Sequence, residues 1–528
     1  MNRIPTRITL AAWLACQSAF VLAQAPAGSP AASAAPQEPT LEVRRYVVDG
    51  PIPLSEGESA QAVAPFIGPG RSLRDIEAAA QALEQRLRAG GHAFHRIIVP
   101  AQRPKDGEVR LQVVEFKLGK VEVQGNSHFD DDNIRASLPT LREGQAPQLG
   151  QLGADVSASN GNPAKQVSVS FRESREPNSV DAVVRVQDTP PIAFIASMTA
   201  NQHISGGATS NNVVRVTGAF QHSNLFNRDH VLTVSYSSDP RNLSSVSLLG
   251  AYYQAPLYGT GMTASAYYTQ SDINSGRIQQ GAGFFDVSGS GRFYGARLTR
   301  ALPRTAVQTT VSMALDERLF ENSSTFNGVK LQPDVSSRVF SLQAGVRDEP
   351  GWGNWGAGLE HLLNIGGDHR NTAQNHAANG GERGWRAWRY SADASTTASG
   401  WQVVGRVRGQ HSDTRLVTGE QFGLGGYNSV RGFSDRVVAG ERGWQWNLEA
   451  TGPAWGKTGL RPVAFTDGGQ VHSLSGGPKE TIASVGVGLR WLRPGLQVAA
   501  DLAQVVDDAS TGQGSKPLRL NFGVVARF

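Results

Sequence analysis

A single cysteine, Cys16, stands in a chain of 528 residues, and it lies in the first apolar segment. Past that segment there is no thiol, which excludes disulfides, thiolate chemistry and cysteine-ligated metal from the body of the protein. Charge is also scarce, with Asp, Glu, Lys and Arg together at 18%. The formal net charge of +5 is small for this length and gives no reason to expect nucleic acid as a partner. Beyond the N-terminus no apolar run approaches the roughly 18 residues of a membrane-spanning helix. Glycine, by contrast, is abundant at 60 residues, in a chain whose hydrophobic content of 39% resembles that of an ordinary soluble protein.

Arg3 and Arg7 precede an apolar segment over 8–22, followed by Ala23-Gln24-Ala25 and a Pro/Ala/Ser-rich run. Charged, apolar and small residues in that order predict a secretory signal peptide over 1–25 and a low-complexity lead-in over 26–40. A lipoprotein reading of Cys16 would need Trp13 and Leu14 in unusual positions beside a very short apolar region. A chain exported in this way belongs in the periplasm, outside the cell, or in the outer membrane as a β-barrel.

Two small α+β modules follow. In 41–117, Ser72 is placed to cap a helix to about Ala89, with Leu73, Ile76, Ala80, Leu83 and Leu87 on one face and Gly90-Gly91 ending it. Strands are predicted over 94–99 and 109–116. In 118–190, a strand over 120–126, a helix over 132–138 and strands over 167–171 and 180–186 are predicted, and Asp188-Thr189-Pro190-Pro191 closes the module.

From 191 to 528 the period changes to two. Leu232, Val234 and Tyr236 oppose Val231, Thr233 and Ser235; Met262, Ala264, Ala266 and Tyr268 oppose Thr263, Ser265, Tyr267 and Thr269. Tight turns (256–261) alternate with long polar loops (367–383), and Trp352, Trp355, Trp401 and Trp446 are expected near strand ends. This is the pattern of a transmembrane β-barrel, and at ~10 residues per strand plus loops the segment holds about sixteen strands. The C-terminal run places Leu518, Leu520, Phe522, Val524, Ala526 and Phe528 on one face and Arg519, Asn521 and Arg527 on the other. A chain that stops there suits a barrel closing on its last strand, which leaves no edge.

In that setting the run 419–433, GEQFGLGGYNSVRGF, resembles the signature loop of two-partner secretion transporters, the TpsB class of haemolysin secretion/activation proteins within the BamA-like superfamily. Residues Phe465, Asp467 and Gly469 are similar to the barrel-wall motif that pairs with it. Val121, Gln124, Gly125, Asn126, Phe129, Ile134, Leu138, Pro139 and Leu141 resemble a POTRA domain, and 223–227 resembles an early barrel turn of the class. The likeness runs from about Leu41 to Phe528.

It implies two periplasmic POTRA domains before a sixteen-stranded outer-membrane barrel that exports one large TpsA-type client, an adhesin or haemolysin, without nucleotide or other cofactor. Gly425, Gly426, Val430, Arg431, Gly432 and Phe433 would form the lumen loop, with Arg431 meeting Asp467 on a partly wet inner wall. Phe528 and Phe522 would mark the barrel for the assembly machinery and lie in outer-membrane lipid. Strand edges carrying Val121, Val123, Val184 and Val186 would receive the extended client. A plug helix, which some members carry, is not expected from the short Pro/Ala-rich lead-in. A barrel-assembly factor, which often carries three or more POTRA domains, and a passive porin or structural adhesin are the competing readings. No enzyme motif stands out: Gly423-Leu424-Gly425 lacks the third glycine of a dinucleotide loop, and His361, His369 and His376 read as solvated loop residues rather than ligands.

Overall fold

The computed structural model describes residues 39–203, 213–271, 276–280, 283–287, 290–302, 306–322, 325–326, 329–508 and 518–528. The signal-peptide reading and nearly all of the lead-in, including the question of a plug helix there, fall outside these residues.

The first unit is built on a three-stranded sheet. Strand Arg45–Asp49 runs parallel to Glu108–Glu115, which pairs antiparallel with His95–Ile98. Helix Leu73–Ala89 starts at a capping box, in which the Ser72 hydroxyl accepts from Asp75 N and the Asp75 carboxylate accepts from Ser72 N at 2.8 Å. It buries Ile76, Ala79, Leu83 and Leu87 against Val109, Leu111 and Val113. A second helix, Glu56–Val63, escapes the sequence reading because it buries only Ser59 and Val63 and so has no apolar stripe.

The second unit repeats the same sheet order, with Lys117–Gln124 parallel to Ser179–Asp188 and Lys165–Glu173 antiparallel on the other side. Leu118, Phe129, Ile134, Leu138, Ala182, Val184 and Val186 fill its core. The predicted helix runs over Asp131–Ala136, with the Asp130 carboxylate accepting from Asn133 N at 2.8 Å. A further helix, Leu149–Ser159, was invisible in the sequence pattern, since it has no capping side chain and buries Leu152, Asp155 and Ser159. The loop into the first helix is gathered by Asp188, whose carboxylate accepts from the backbone of Ser127, His128 and Phe129 at 2.8–3.1 Å.

From Ile192 sixteen antiparallel strands form a closed barrel, as their number and period predicted. The last strand, Leu518–Arg527, pairs with the first, Ile192–His203, and the Phe528 and Phe194 backbones exchange hydrogen bonds of 2.9 and 3.1 Å. The burial pattern is inverted relative to a soluble protein: Thr233, Ser235, Ser237, Ser312, Asp316 and Gln410 are buried inside, while Val234, Tyr236, Met313, Leu342 and Val487 are exposed outside.

Three details differ from the sequence reading. Trp446 lies within strand Arg442–Thr451 rather than at its end. The loop 367–383 contains a helix, Ala373–Ala378, on which His376 is fully buried, its Nε2 2.9 Å from Asn371 Oδ1. His361 is half-buried on strand Gly353–Gly366 rather than in a loop, stacked on Trp388 with ring centroids 4.1 Å apart.

The second unit is seated against the barrel's short turns. Lys165 Nζ lies 2.5 Å from Asp229 Oδ2, with both side chains completely buried. Burial pushes the Lys165 ammonium pKa down, and the Asp229 carboxylate draws it part of the way back.

Truncating the first unit's core should separate the folding of the parts. Leu83→Ala is expected to destabilise that unit by about 2–5 kcal/mol, read as faster limited proteolysis within residues 41–115. The heat-modifiable barrel band on gels should not change; its loss would show that the unit and the barrel fold as one.

Candidate functional site

The loop between strands Trp401–His411 and Arg442–Thr451 enters the barrel instead of leaving it. Positive φ values at Gly425, Gly426 and Gly432 (+107°, +99° and +98°) make its bends, a region open to glycine at little steric cost. A Cβ at Gly425 would strike Ser434 O, and one at Gly432 would come within 3.2 Å of Val505 on the wall.

Arg431 is pinned by a two-pronged fork: Nε donates to Asp467 Oδ2 at 2.7 Å and Nη2 to Asp467 Oδ1 at 3.0 Å. The Arg431 backbone N–H adds a third bond to Oδ2 at 3.2 Å. The guanidinium also lies over the Phe465 ring, 3.4 Å from its centroid. Arg431 is 6% exposed and Asp467 0%. The pair is buried against the wall, where Leu424, Val430, Phe433 and Val438 of the loop pack on Val471, Ile482 and Val505. Gly469 makes room for this packing, since a Cβ there would press on Leu424 at 2.9 Å.

The ion pair is part of a larger cluster that the sequence motif did not reveal. Arg431 Nη1 reaches Glu449 Oε2 at 2.8 Å and Asp501 Oδ2 at 3.4 Å. Arg490 bridges the same two carboxylates, at 3.2 Å to Glu449 and 2.5 Å to Asp501. Asn447 donates to Asp467 Oδ1 at 2.9 Å and to the loop carbonyl of Ser429 at 2.6 Å. Four adjacent strands supply these groups: Asn447 lies directly across from Asp467, and Asp501 pairs with Gly488, four residues along the strand from Ser484, the partner of Asp467. Two cations facing three carboxylates leave no buried charge without an opposite neighbour.

The loop's other end is tied elsewhere. Glu420, buried, accepts from Arg318 Nη1 at 2.7 Å and Arg389 Nη2 at 3.4 Å, and its carbonyl accepts from Gln410 at 2.9 Å. Arg318 lies on the seventh barrel strand, Gln308–Phe320, and Asp501 on the fifteenth, Leu496–Asp507. Eight strands apart in a ring of sixteen are opposite walls, so the loop crosses the lumen. Glu420 is the first residue of the loop that sequence reasoning left unassigned, and its position in the motif was the only available signal.

The valines proposed to receive a client are not available as side chains. Val121, Val184 and Val186 are buried in the second unit's core, and Val123 packs against it. Strand Ser179–Asp188, carrying Val184 and Val186, is the central strand and has no open edge. Only the outer strands offer one. On Lys117–Gln124 the edge at Val121 is already covered, its N–H donating to Glu143 Oε1 at 3.1 Å and its carbonyl accepting from Arg135 Nη2 at 2.6 Å. Alternation fixes each valine's face, and here that face is the core.

Comparison with known proteins agrees with this architecture. Residues 180–491 match the family model described as haemolysin secretion/activation protein ShlB/FhaC/HecB, and residues 41–115 match the POTRA domain of ShlB type. The chain is 24% identical over 424 residues to the outer membrane transporter CdiB of Dickeya dadantii, covering 76% of this chain and 72% of that protein. It is 24% identical over 469 residues to the outer membrane transporter CdiB of Escherichia coli, covering 85% and 76%. The fold matches the solved structure of CdiB from Escherichia coli with a TM-score of 0.76 at 19% identity, over 95% of this chain and 93% of that one. CdiB from Acinetobacter baumannii gives 0.71 at 16% identity, over 95% and 93%. With its family model spanning more than half the sequence, its closed barrel and its POTRA region, the chain belongs to the ShlB/FhaC/HecB haemolysin secretion/activation family, the outer-membrane transporters of two-partner secretion.

Proposed function

We propose that this chain exports one large TpsA-type protein, of adhesin or haemolysin kind, from the periplasm to the cell surface. The observation that carries the reading is a closed, polar-lined barrel with a tethered loop across its lumen and a small α+β unit seated on its short turns. The second unit, which shares the first unit's sheet order, acts as a second POTRA domain. The unfolded client adds as a strand to an outer edge of these units, through backbone hydrogen bonds that ask little of its sequence. At Lys117–Gln124 it has to displace the Glu143 and Arg135 side chains from Val121.

The Arg431 fork sets the shape of the loop that the client must pass. A planar guanidinium meets a carboxylate with two parallel bonds, which the single ammonium of lysine does not copy. Export needs no nucleotide in this scheme.

Deleting the gene should empty the medium of one large secreted protein and leave other outer-membrane proteins at normal levels. A general fall in outer-membrane proteins would instead identify a barrel-assembly factor.

Arg431→Ala leaves the buried Asp467 carboxylate without its cation, a loss of about 3–5 kcal/mol at the site, while Asp467→Ala removes the fork and leaves Arg431 with Glu449 and Asp501. Both variants should insert as folded barrels yet export at least about tenfold less client, with Arg431→Lys intermediate. Normal export by Arg431→Ala and by Asp467→Ala alike would remove the loop tether from the mechanism.

The outward apolar face meets outer-membrane lipid, and Phe528, at 77% exposure beside the closing seam, is offered to the assembly machinery. Deleting Phe528 is expected to lower the amount of heat-modifiable barrel in the membrane several-fold, measured by quantitative gel analysis, with Phe522→Ala milder. Equal levels in both would exclude a terminal recognition signal.

A further inference from the structure

Asp229 occupies a left-handed turn (φ +61°) between the second and third barrel strands, and it is the centre of a polar hub joining barrel to second unit. Its Oδ2 receives Lys165 Nζ at 2.5 Å and the Tyr258 hydroxyl of the next short turn. Its Oδ1 receives Asn133 Nδ2 at 3.1 Å and Asn162 Nδ2 at 3.4 Å. Asn133 is shared, its Oδ1 accepting from Lys165 at 2.7 Å while its Nδ2 also reaches Asn227 O at 3.0 Å. Asn162 Nδ2 donates to Ser223 O at 2.7 Å, and Asn227 Nδ2 to Asp130 Oδ2 at 2.7 Å.

This contact is built from directional bonds. An apolar interface tolerates sliding, whereas a completely buried cation and carboxylate are tolerable only in the seating that satisfies both. A seating that buries either Lys165 or Asp229 without the other strands a charge. The pair therefore selects one orientation of the second unit, and with it that of its edge strand Lys117–Gln124 relative to the barrel.

We propose that Lys165 and Asp229 are positioning residues for export: their pairing seats the second unit under the short turns of strands two to five, where the client is handed to the pore. The proposal rests on the export reading above.

Seating can be read by disulfide trapping. A Cβ built on Gly259 lies 3.8 Å from Pro139 Cβ, across the same interface, about the usual separation in a disulfide. The sole native cysteine, Cys16, lies in the predicted signal peptide, so a Pro139→Cys/Gly259→Cys chain reports cleanly after a brief oxidant pulse. The turn's φ of +79° at Gly259 strains cysteine modestly, so yields are compared only within this background.

Lys165→Met and Asp229→Asn, each made in the reporter, should lower disulfide yield and, in reduced cells, client export by at least about tenfold, a lower bound on the effect of one stranded buried charge. The heat-modifiable barrel should remain. The double variant Lys165→Met/Asp229→Asn, with no charge left to strand, should recover both readouts above either single variant. Three results would each overturn the proposal. These are undiminished disulfide yield in the single variants, normal export despite lost seating, and a double variant as impaired as the two singles combined. If the unsubstituted chain exports no client at all, the export reading fails, while disulfide yield still decides whether the pair seats the unit.

Discussion

An unpaired strand edge in hydrocarbon leaves backbone N–H and C=O groups with nothing to bond, at several kcal/mol for each group. The pairing of Leu518–Arg527 with Ile192–His203 removes that cost, and most of the molecule follows from it. Once the sheet closes, one face of every strand must meet lipid and the other must meet the lumen. The chain therefore carries its apolar residues outward and its serines, threonines and carboxylates inward. Its modest hydrophobic content of 39% is a consequence of this, since only half of each strand meets lipid.

A ring of sixteen strands is wide enough to leave space inside, and the loop crosses that space. Its two ends are held in different ways. At Glu420 the carboxylate sits between Arg318 and Arg389, while at Arg431 the cation sits among Asp467, Glu449 and Asp501. Opposite charges on the loop thus meet complementary charges on opposite walls, which sets the direction of the crossing. Valine, leucine and phenylalanine beside Arg431 keep water away and strengthen the fork. Holding this loop therefore depends on both packing and charge.

The same reasoning applies at the rim. The Lys165–Asp229 hub is polar where the barrel's outer surface is apolar, and its bonds have directions. The second unit is joined to the barrel by contacts that specify an orientation, and its own core, with Val184 and Val186, is closed against solvent. Its edges, not its apolar side chains, are what it can offer to an extended chain.

The sequence by itself determined the periodic features. Alternation of Leu232, Val234 and Tyr236 against Thr233 and Ser235 announced a strand with one lipid face, and enough such runs announced a barrel of the right size. Capping and amphipathic spacing placed helix Leu73–Ala89, and the 419–433 motif marked the loop. Helices Glu56–Val63 and Leu149–Ser159 were not legible, because each buries too few apolar residues to show a stripe. Only the tertiary structure decided which groups meet. Arg431 and Asp501 are 70 residues apart, Lys165 and Asp229 are 64 apart, and Arg318 and Glu420 are 102 apart. Those meetings depend on strand register and on the path of a loop through the lumen. Periodicity assigns a residue to a face, but it carries no information about which distant strand brings a partner level with it.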